Sequence, residues 1–362
     1  MGRQTEGRPP HEGCRGAVGN KGIMLRNARA LSAGLAASAP ANGFHAGDET
    51  MGHIISASRR TDIQAFYSEW LMNRLRAGFC LVANPMNHGQ VSRISLLRRD
   101  VDAIVFWTKD PRPLLQHLPE IDAMGYRYYF QFTLNAYPRE LEPYAPSLHE
   151  AVDAFASLSE MIGPQRCLWR YDPIILTSLT DTDYHRSRLD YLFAQLCSHT
   201  SRLTVSVVDF YHKTEKRLKQ LASRDVHLLP SSENLEVYFP VLRHAAELAK
   251  GHGVEIVSCA ESEAVASLGI KPGKCIDDAV MVRAFGITVP TRKDPAQRDE
   301  CGCIVSRDIG AYDTCLHGCE YCYATTGILA ARRRHAQHDP NSPCMIGTLR
   351  SPWDGDTDSG VA

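Results

Sequence analysis

Cys315, Cys319 and Cys322 stand in a C-x3-C-x2-C array inside the segment from Asp313 to Ala324. Thiolates are soft ligands that favour iron–sulfur clusters and zinc. Three of them in one loop can hold three irons of a [4Fe–4S] cluster and leave the fourth iron without a protein ligand. That iron would be open to a small molecule offering an amine and a carboxylate. The flanks suit such a loop. Gly318 permits a tight turn, Tyr321 puts an aromatic ring before the third cysteine, and Ala324 to His335 has the pattern of a helix. A zinc site completed by His317 or by another cysteine would use the same residues without a redox partner.

Seven of the chain's 12 cysteines lie between Cys259 and Cys322. Close spacing in a long chain patterned for helices and strands reads as metal ligation in a reducing cytoplasm, not as a secreted disulfide scaffold. Besides the loop, Cys259, Cys275, Cys301 and Cys303 could fill a second [4Fe–4S] cluster or a tetrahedral zinc site. The plainer reading of these four is a buried strand residue and three ordinary thiols. Cys14, Cys80, Cys167, Cys197 and Cys344 are expected to be structural.

Such ligands need a scaffold, and the pattern from residue 53 onward supplies one. Strand-like runs at 53–58, 80–84, 103–108, 127–134, 167–171, 203–209 and 254–259 alternate with helical patterns. The helices are expected at Phe66–Arg76, Pro111–Met124, Leu148–Met161, Asp183–Leu196 and Asn234–Lys250. Ile304-Val305-Ser306 would supply an eighth strand. Consecutive βα units predict an α/β fold with a parallel sheet, and eight of them a (β/α)8-type barrel. In a barrel, chemistry gathers at the C-terminal ends of the strands. Those ends carry Arg59, Arg60 and Asp62, then Lys109, Gln131, Arg170, Asp172 and Glu261, which are the candidate catalytic residues.

Composition narrows the classes. Of 362 residues, 44% are apolar and 22% charged, with a net charge of −1, so no global field favours nucleic acid. Arg332, Arg333 and Arg334 form a basic run that could meet phosphates, as could Arg59-Arg60 and Arg98-Arg99, and solvated faces explain these runs as well. No apolar run is long enough to span a bilayer. No phosphate-gripping glycine loop, nucleophile elbow or HExxH signature occurs. Residues 1–50 are expected to lie outside the fold, as a disordered extension or a start placed upstream of Met51; their composition would also permit a transit peptide. The barrel is expected over 51–345, with the cysteine region at 255–325 and a disordered tail at 346–362.

The cysteine spacing and the preceding aromatic resemble the radical S-adenosylmethionine superfamily. The wider chain resembles a bacterial family of unassigned reaction whose cluster lies at the C-terminus. The matching stretches are Ile54–Ile63, Phe106–Lys109, Tyr129–Thr133, Trp169–Pro173, Ser258–Glu261 and Gln297–Thr325. The resemblance implies that the open iron binds S-adenosylmethionine, that reductive cleavage gives a 5′-deoxyadenosyl radical, and that a low-potential donor such as flavodoxin or ferredoxin supplies the electron. It leaves the substrate open. Superfamily members usually carry the cluster loop after the first strand, so a loop after the seventh implies a circularly permuted barrel. In that register a Gly-Gly-Glu-like segment should follow residue 58, and it is missing. Ser58, Arg59, Thr61 and Asp62 occupy its place and, with Tyr321, are the expected cofactor contacts. A non-catalytic iron–sulfur protein and a zinc-stapled nucleic-acid module are the competing classes.

Overall fold

A computed structural model describes residues 52–229 and 234–347. The expected extension at 1–50 and all but the first two residues of the expected tail lie outside the described residues. Ten strands occur in chain order: β1 (His53–Ala57), β2 (Phe79–Asn84), β3 (Asn87–Ser95), β4 (Val101–Thr108), β5 (Tyr128–Thr133), β6 (Cys167–Ile174), β7 (Arg202–Val207), β8 (Glu255–Ser258), β9 (Lys271–Pro272) and β10 (Arg307–Asp308). Eight of them form one parallel sheet in the order β10-β1-β4-β5-β6-β7-β8-β9. This mixed α/β architecture is compatible with an α/β barrel. Beyond β9, Ile304 N–H donates to the Ile276 carbonyl at 3.2 Å, so the segments flanking the two edge strands touch.

The strands alternate as the pleat requires. Ile55, Phe106, Phe130, Trp169 and Val205 point into the larger core beneath the helices. Ile54, Val105, Tyr129 and Leu168 belong to a second core on the opposite face, with Ile276, Met281 and Ile304. Central parallel strands buried on both faces read as near-continuous apolar runs, which is how β4 (VDAIVFWT) and β5 (YYFQFT) read. Rings interlock under the helices, Trp169 with Phe193 at 5.1 Å and Phe132 with Phe155 at 4.9 Å between centroids.

The helices begin where their caps dictate. Ser147 and Glu150 form a capping box at Leu148–Ile162, and the Asp181 carboxylate accepts the Tyr184 N–H at 2.8 Å at Thr182–Leu196. Each cap contributes about 1 kcal/mol. The expected helix at Pro111–Met124 is two short ones, Arg112–Leu115 and Leu118–Ala123, with Pro119 starting the second. The helix after the cysteine loop begins at Ile328, four residues later than its pattern suggests.

Two strand expectations are corrected, and two strands are added. The run at 80–84 is a strand, but it pairs antiparallel with β3 in a separate hairpin and contributes nothing to the main sheet. β3 escaped notice because NHGQVSRIS carries too few apolar residues to mark a strand. The eighth position belongs to Arg307–Asp308, just past Ile304–Ser306, and β9 supplies a strand that two residues of periodicity could not reveal. Asp308 pins β10 to β1: its carboxylate accepts Ser56 Oγ at 2.9 Å, Ser58 Oγ at 2.7 Å and Arg59 N–H at 2.8 Å. Gly310 lets this corner close, since a Cβ there would stand 2.1 Å from Ser58 Oγ. Among the described residues no helix is long and apolar enough to cross a membrane.

Candidate functional site

On the inner face of the sheet the residue type changes along each strand. Apolar Ile54, Val105, Tyr129 and Leu168 give way, two residues on, to Ser56, Trp107, Gln131 and Arg170. Beyond them opens a cavity of about 390 Å³. Ser58, Arg59, Arg60, Thr61, Asp62, Lys109, Arg170, Asp172 and Tyr321 line it, together with all seven cysteines of the two sets. Residues separated by more than 260 positions thus share one chamber. Gln131 and Glu261 do not line it. Gln131 is buried behind the wall, where its Nε2 donates to the Cys275 carbonyl at 2.7 Å. Glu261 accepts the Val207 N–H at 2.7 Å, and burial raises its carboxyl to about 7.

The cysteine loop is held from three sides. From β1's end, Asp62 Oδ2 lies 2.9 Å from His317 Nε2 and also accepts Thr108 Oγ1 at 3.0 Å and Lys109 N–H at 2.7 Å. Its Oδ1 caps helix Ile63–Phe66 through Ala65 N–H at 3.0 Å. Both oxygens of Asp62 are therefore committed to the fold, which removes it as a free acceptor for a ligand. From below, Glu142 is buried; it accepts Lys109 Nζ at 2.9 Å and a hydrogen bond from the Tyr321 hydroxyl. From helix His212–Gln220, Arg217 donates to the carbonyls of Glu320 at 2.9 Å, Thr325 at 2.6 Å and Cys322. Gly318 has φ +66°, and a Cβ there would stand 2.8 Å from the Tyr144 ring, so the turn admits glycine only.

Burial pushes the Cys315 thiol up to about 12 and the Cys319 thiol well above its usual range. Opposing this, the backbone N–H groups of His317 and Asp62 favour a thiolate at Cys315, and the Lys109 ammonium favours one at Cys319. In the second set, Cys259 Sγ and Cys275 Sγ are 3.3 Å apart, and Arg170 Nη1 lies 2.7 Å from Cys275 Sγ. Interaction with Cys303 lowers the Cys301 thiol to about 7. In this arrangement no group of three or more His, Cys, Asp or Glu side chains among the described residues forms a preassembled metal site.

Four buried polar atoms of the lining have no partner: Arg59 Nη1, Thr61 Oγ1, Trp107 Nε1 and His317 Nδ1. An unpaired buried donor costs about 1–3 kcal/mol, so a ligand that satisfies these groups gains what the free protein forgoes. Two of them, from Arg59 and Trp107, can only donate. Ser206 and Arg170 both hold the Asp172 carboxylate, and Asn135 bridges Asp172 to Tyr321 through its Nδ2, 3.2 Å from the Tyr321 hydroxyl.

Both cysteine sets, and every strand end that reaches the cavity, fall within one family match, which spans residues 54–324. The chain belongs to the family described as domain of unknown function DUF1848. The DUF1848 region ends just after Cys322, so the helix Ile328–His335 and the segment after it lie beyond the match. No curated protein matches the chain. Of the residues that shape the DUF1848 cavity, Glu142 and Arg217 carry no sequence signal. A glutamate in a loop and an arginine on a charged helix read as ordinary surface residues until the fold buries Glu142 and brings the cysteine loop against Arg217. Arg332, the first of the basic run, stacks on Tyr144 at 5.1 Å. Cys80, Cys167, Cys197 and Cys344 are buried as expected of structural residues, and Cys14 lies outside the described residues.

Proposed function

We propose that this chain is an iron–sulfur enzyme of the radical S-adenosylmethionine type, acting in the cytoplasm on a substrate held in the same cavity. Cys315, Cys319 and Cys322 are the ligands of its [4Fe–4S] cluster. The observation that carries the reading is the meeting of three loop thiols and four unpartnered buried polar atoms on one cavity. When bound, a reduced cluster of this kind supplies the electron that cleaves S-adenosylmethionine to methionine and a 5′-deoxyadenosyl radical.

The chain's own residues suit that chemistry in definable ways. Arg59 keeps one guanidinium nitrogen free for a ligand carboxylate while its Nη2 is tied to Ser306 Oγ at 2.9 Å. Thr61 offers a hydroxyl beside it, and the indole N–H of Trp107 offers a donor to a second acceptor. Lys109, anchored by Glu142, favours thiolate at Cys319 and so ligation. The adjacency of β10 and β1 supports reading the sheet as a (β/α)8-type barrel, permuted so that β10 corresponds to the usual first strand. A low-potential donor such as flavodoxin or ferredoxin is the expected electron source.

One observation favours a second reading. Metal-bound histidines usually donate their other ring nitrogen to a carboxylate, and His317 does this to Asp62 while its Nδ1 has no partner. If His317 fills the fourth position, the site is a closed iron–sulfur or zinc centre without catalysis. One experiment separates them: anaerobic reconstitution, dithionite reduction, addition of S-adenosylmethionine and assay for 5′-deoxyadenosine. A fully loaded protein that forms none, and whose reduced EPR spectrum ignores the cofactor, removes the enzyme reading.

A further inference from the structure

The two cysteine sets differ in how their thiols are held. In the second set Cys259 Sγ and Cys275 Sγ stand 3.3 Å apart, and Cys303 Sγ lies 3.3 Å from the Cys275 backbone nitrogen. The thiols of Cys315, Cys319 and Cys322 interact through charge, and no sulfur–sulfur hydrogen bond links them among the described residues. A single tetrahedral ion with metal–sulfur bonds of about 2.3 Å holds its four thiolates about 3.8 Å apart. A cuboidal cluster carries one thiolate on each of four separate irons and keeps them further apart than that.

We propose that Cys259, Cys275, Cys301 and Cys303 bind one divalent ion of the zinc class in tetrahedral thiolate coordination, as a second centre distinct from the cysteine loop. The surroundings are those of a metal thiolate site. Cys303 Sγ accepts the backbone N–H groups of Cys275 at 3.3 Å and Ile276 at 3.5 Å, and Arg170 Nη1 stands 2.7 Å from Cys275 Sγ. A divalent ion with four thiolates carries two net negative charges, and the Arg170 guanidinium, shared with Asp172, stands against that charge. The ligands come from the end of β8, the segment after β9 and the irregular segment leading into β10, so the ion would clasp the two edges of the sheet where Ile304 meets Ile276. Tetrahedral coordination would open Cys259 and Cys275 from 3.3 Å by about 0.5 Å.

The test does not depend on S-adenosylmethionine chemistry. The full chain and a Cys315→Ala/Cys319→Ala/Cys322→Ala variant are purified anaerobically and assayed for zinc, iron and acid-labile sulfide. The expected result is one zinc per chain in both, with sulfur-only coordination at about 2.3 Å by X-ray absorption. A Cys301→Ser/Cys303→Ser variant is expected to lose that zinc. Because this variant could fail to fold, cobalt(II) is also titrated into the metal-stripped triple-alanine variant, where a thiolate-to-cobalt charge-transfer band saturating at one equivalent is expected. Iron with stoichiometric sulfide retained by the triple-alanine variant overturns the proposal, as does folded protein that holds no metal and gives no cobalt band.

Discussion

His317 Nε2 sits 2.9 Å from Asp62 Oδ2, with both side chains buried. The same carboxylate gathers Thr108, Lys109 and the first turn of helix Ile63–Phe66, so one side chain joins the ends of β1 and β4 to the cysteine loop. Asp62→Asn should keep the fold but loosen the histidine, weakening metal retention by the loop roughly 10–100-fold, as removal of such outer partners generally does. Competition with a chelator measures this, and unchanged retention would dismiss the coupling.

Lys109 and Glu142 form a buried ion pair at 2.9 Å. Removing one partner strands the other charge. Glu142→Ala is predicted to destabilise the protein by about 3–5 kcal/mol, while Lys109→Met with Glu142→Leu together should cost much less. Urea unfolding of the single and double variants decides it; equal losses would show that the pair itself contributes little beyond packing.

Arg217 holds three carbonyls of the loop between Glu320 and Thr325. Arg217→Ala should therefore act locally. We expect faster alkylation of Cys322 and lower iron uptake with a melting temperature within a few degrees of the parent. A uniform loss of stability, with no change in thiol reactivity, would assign Arg217 to general packing.

Burial raises the Glu261 carboxyl from its ordinary 4.5 to about 7, against the Val207 N–H, which favours the carboxylate. The folded chain thus keeps a proton that the unfolded chain has released, so this contribution is complete below about 4.5 and disappears as pH rises through about 7. The stability difference between the wild type and Glu261→Gln, followed by urea midpoint, should shift in favour of Glu261→Gln as pH rises across that window. A difference that stays flat from pH 4.5 to 7 contradicts the assignment.

Cys319→Ala should abolish the oxygen-sensitive visible absorbance of reconstituted protein. Unchanged iron content in this variant would remove Cys319 from the ligand set.

The sequence by itself determined the alternation of helices and strands and the set of residues able to do chemistry. Apolar runs such as VDAIVFWT mark β4 because a strand buried on both faces has no other composition available. The C-x3-C-x2-C spacing marks the loop because local ligands must share a turn. The tertiary structure alone decided what depended on distant partners. It moved 80–84 out of the main sheet, and it supplied β9 and β10, which are strands only because β8 and β1 stand beside them. Asp62 changed from a candidate ligand contact into a committed anchor, because its hydrogen bonds come from the end of β4, the cysteine loop and the helix that it caps. Glu142 and Arg217 gained their importance the same way. A long-range contact leaves no periodicity in the chain, so the grouping of Cys259, Cys275, Cys301 and Cys303 could be guessed from residue type, while their spacing had to come from the folded chain.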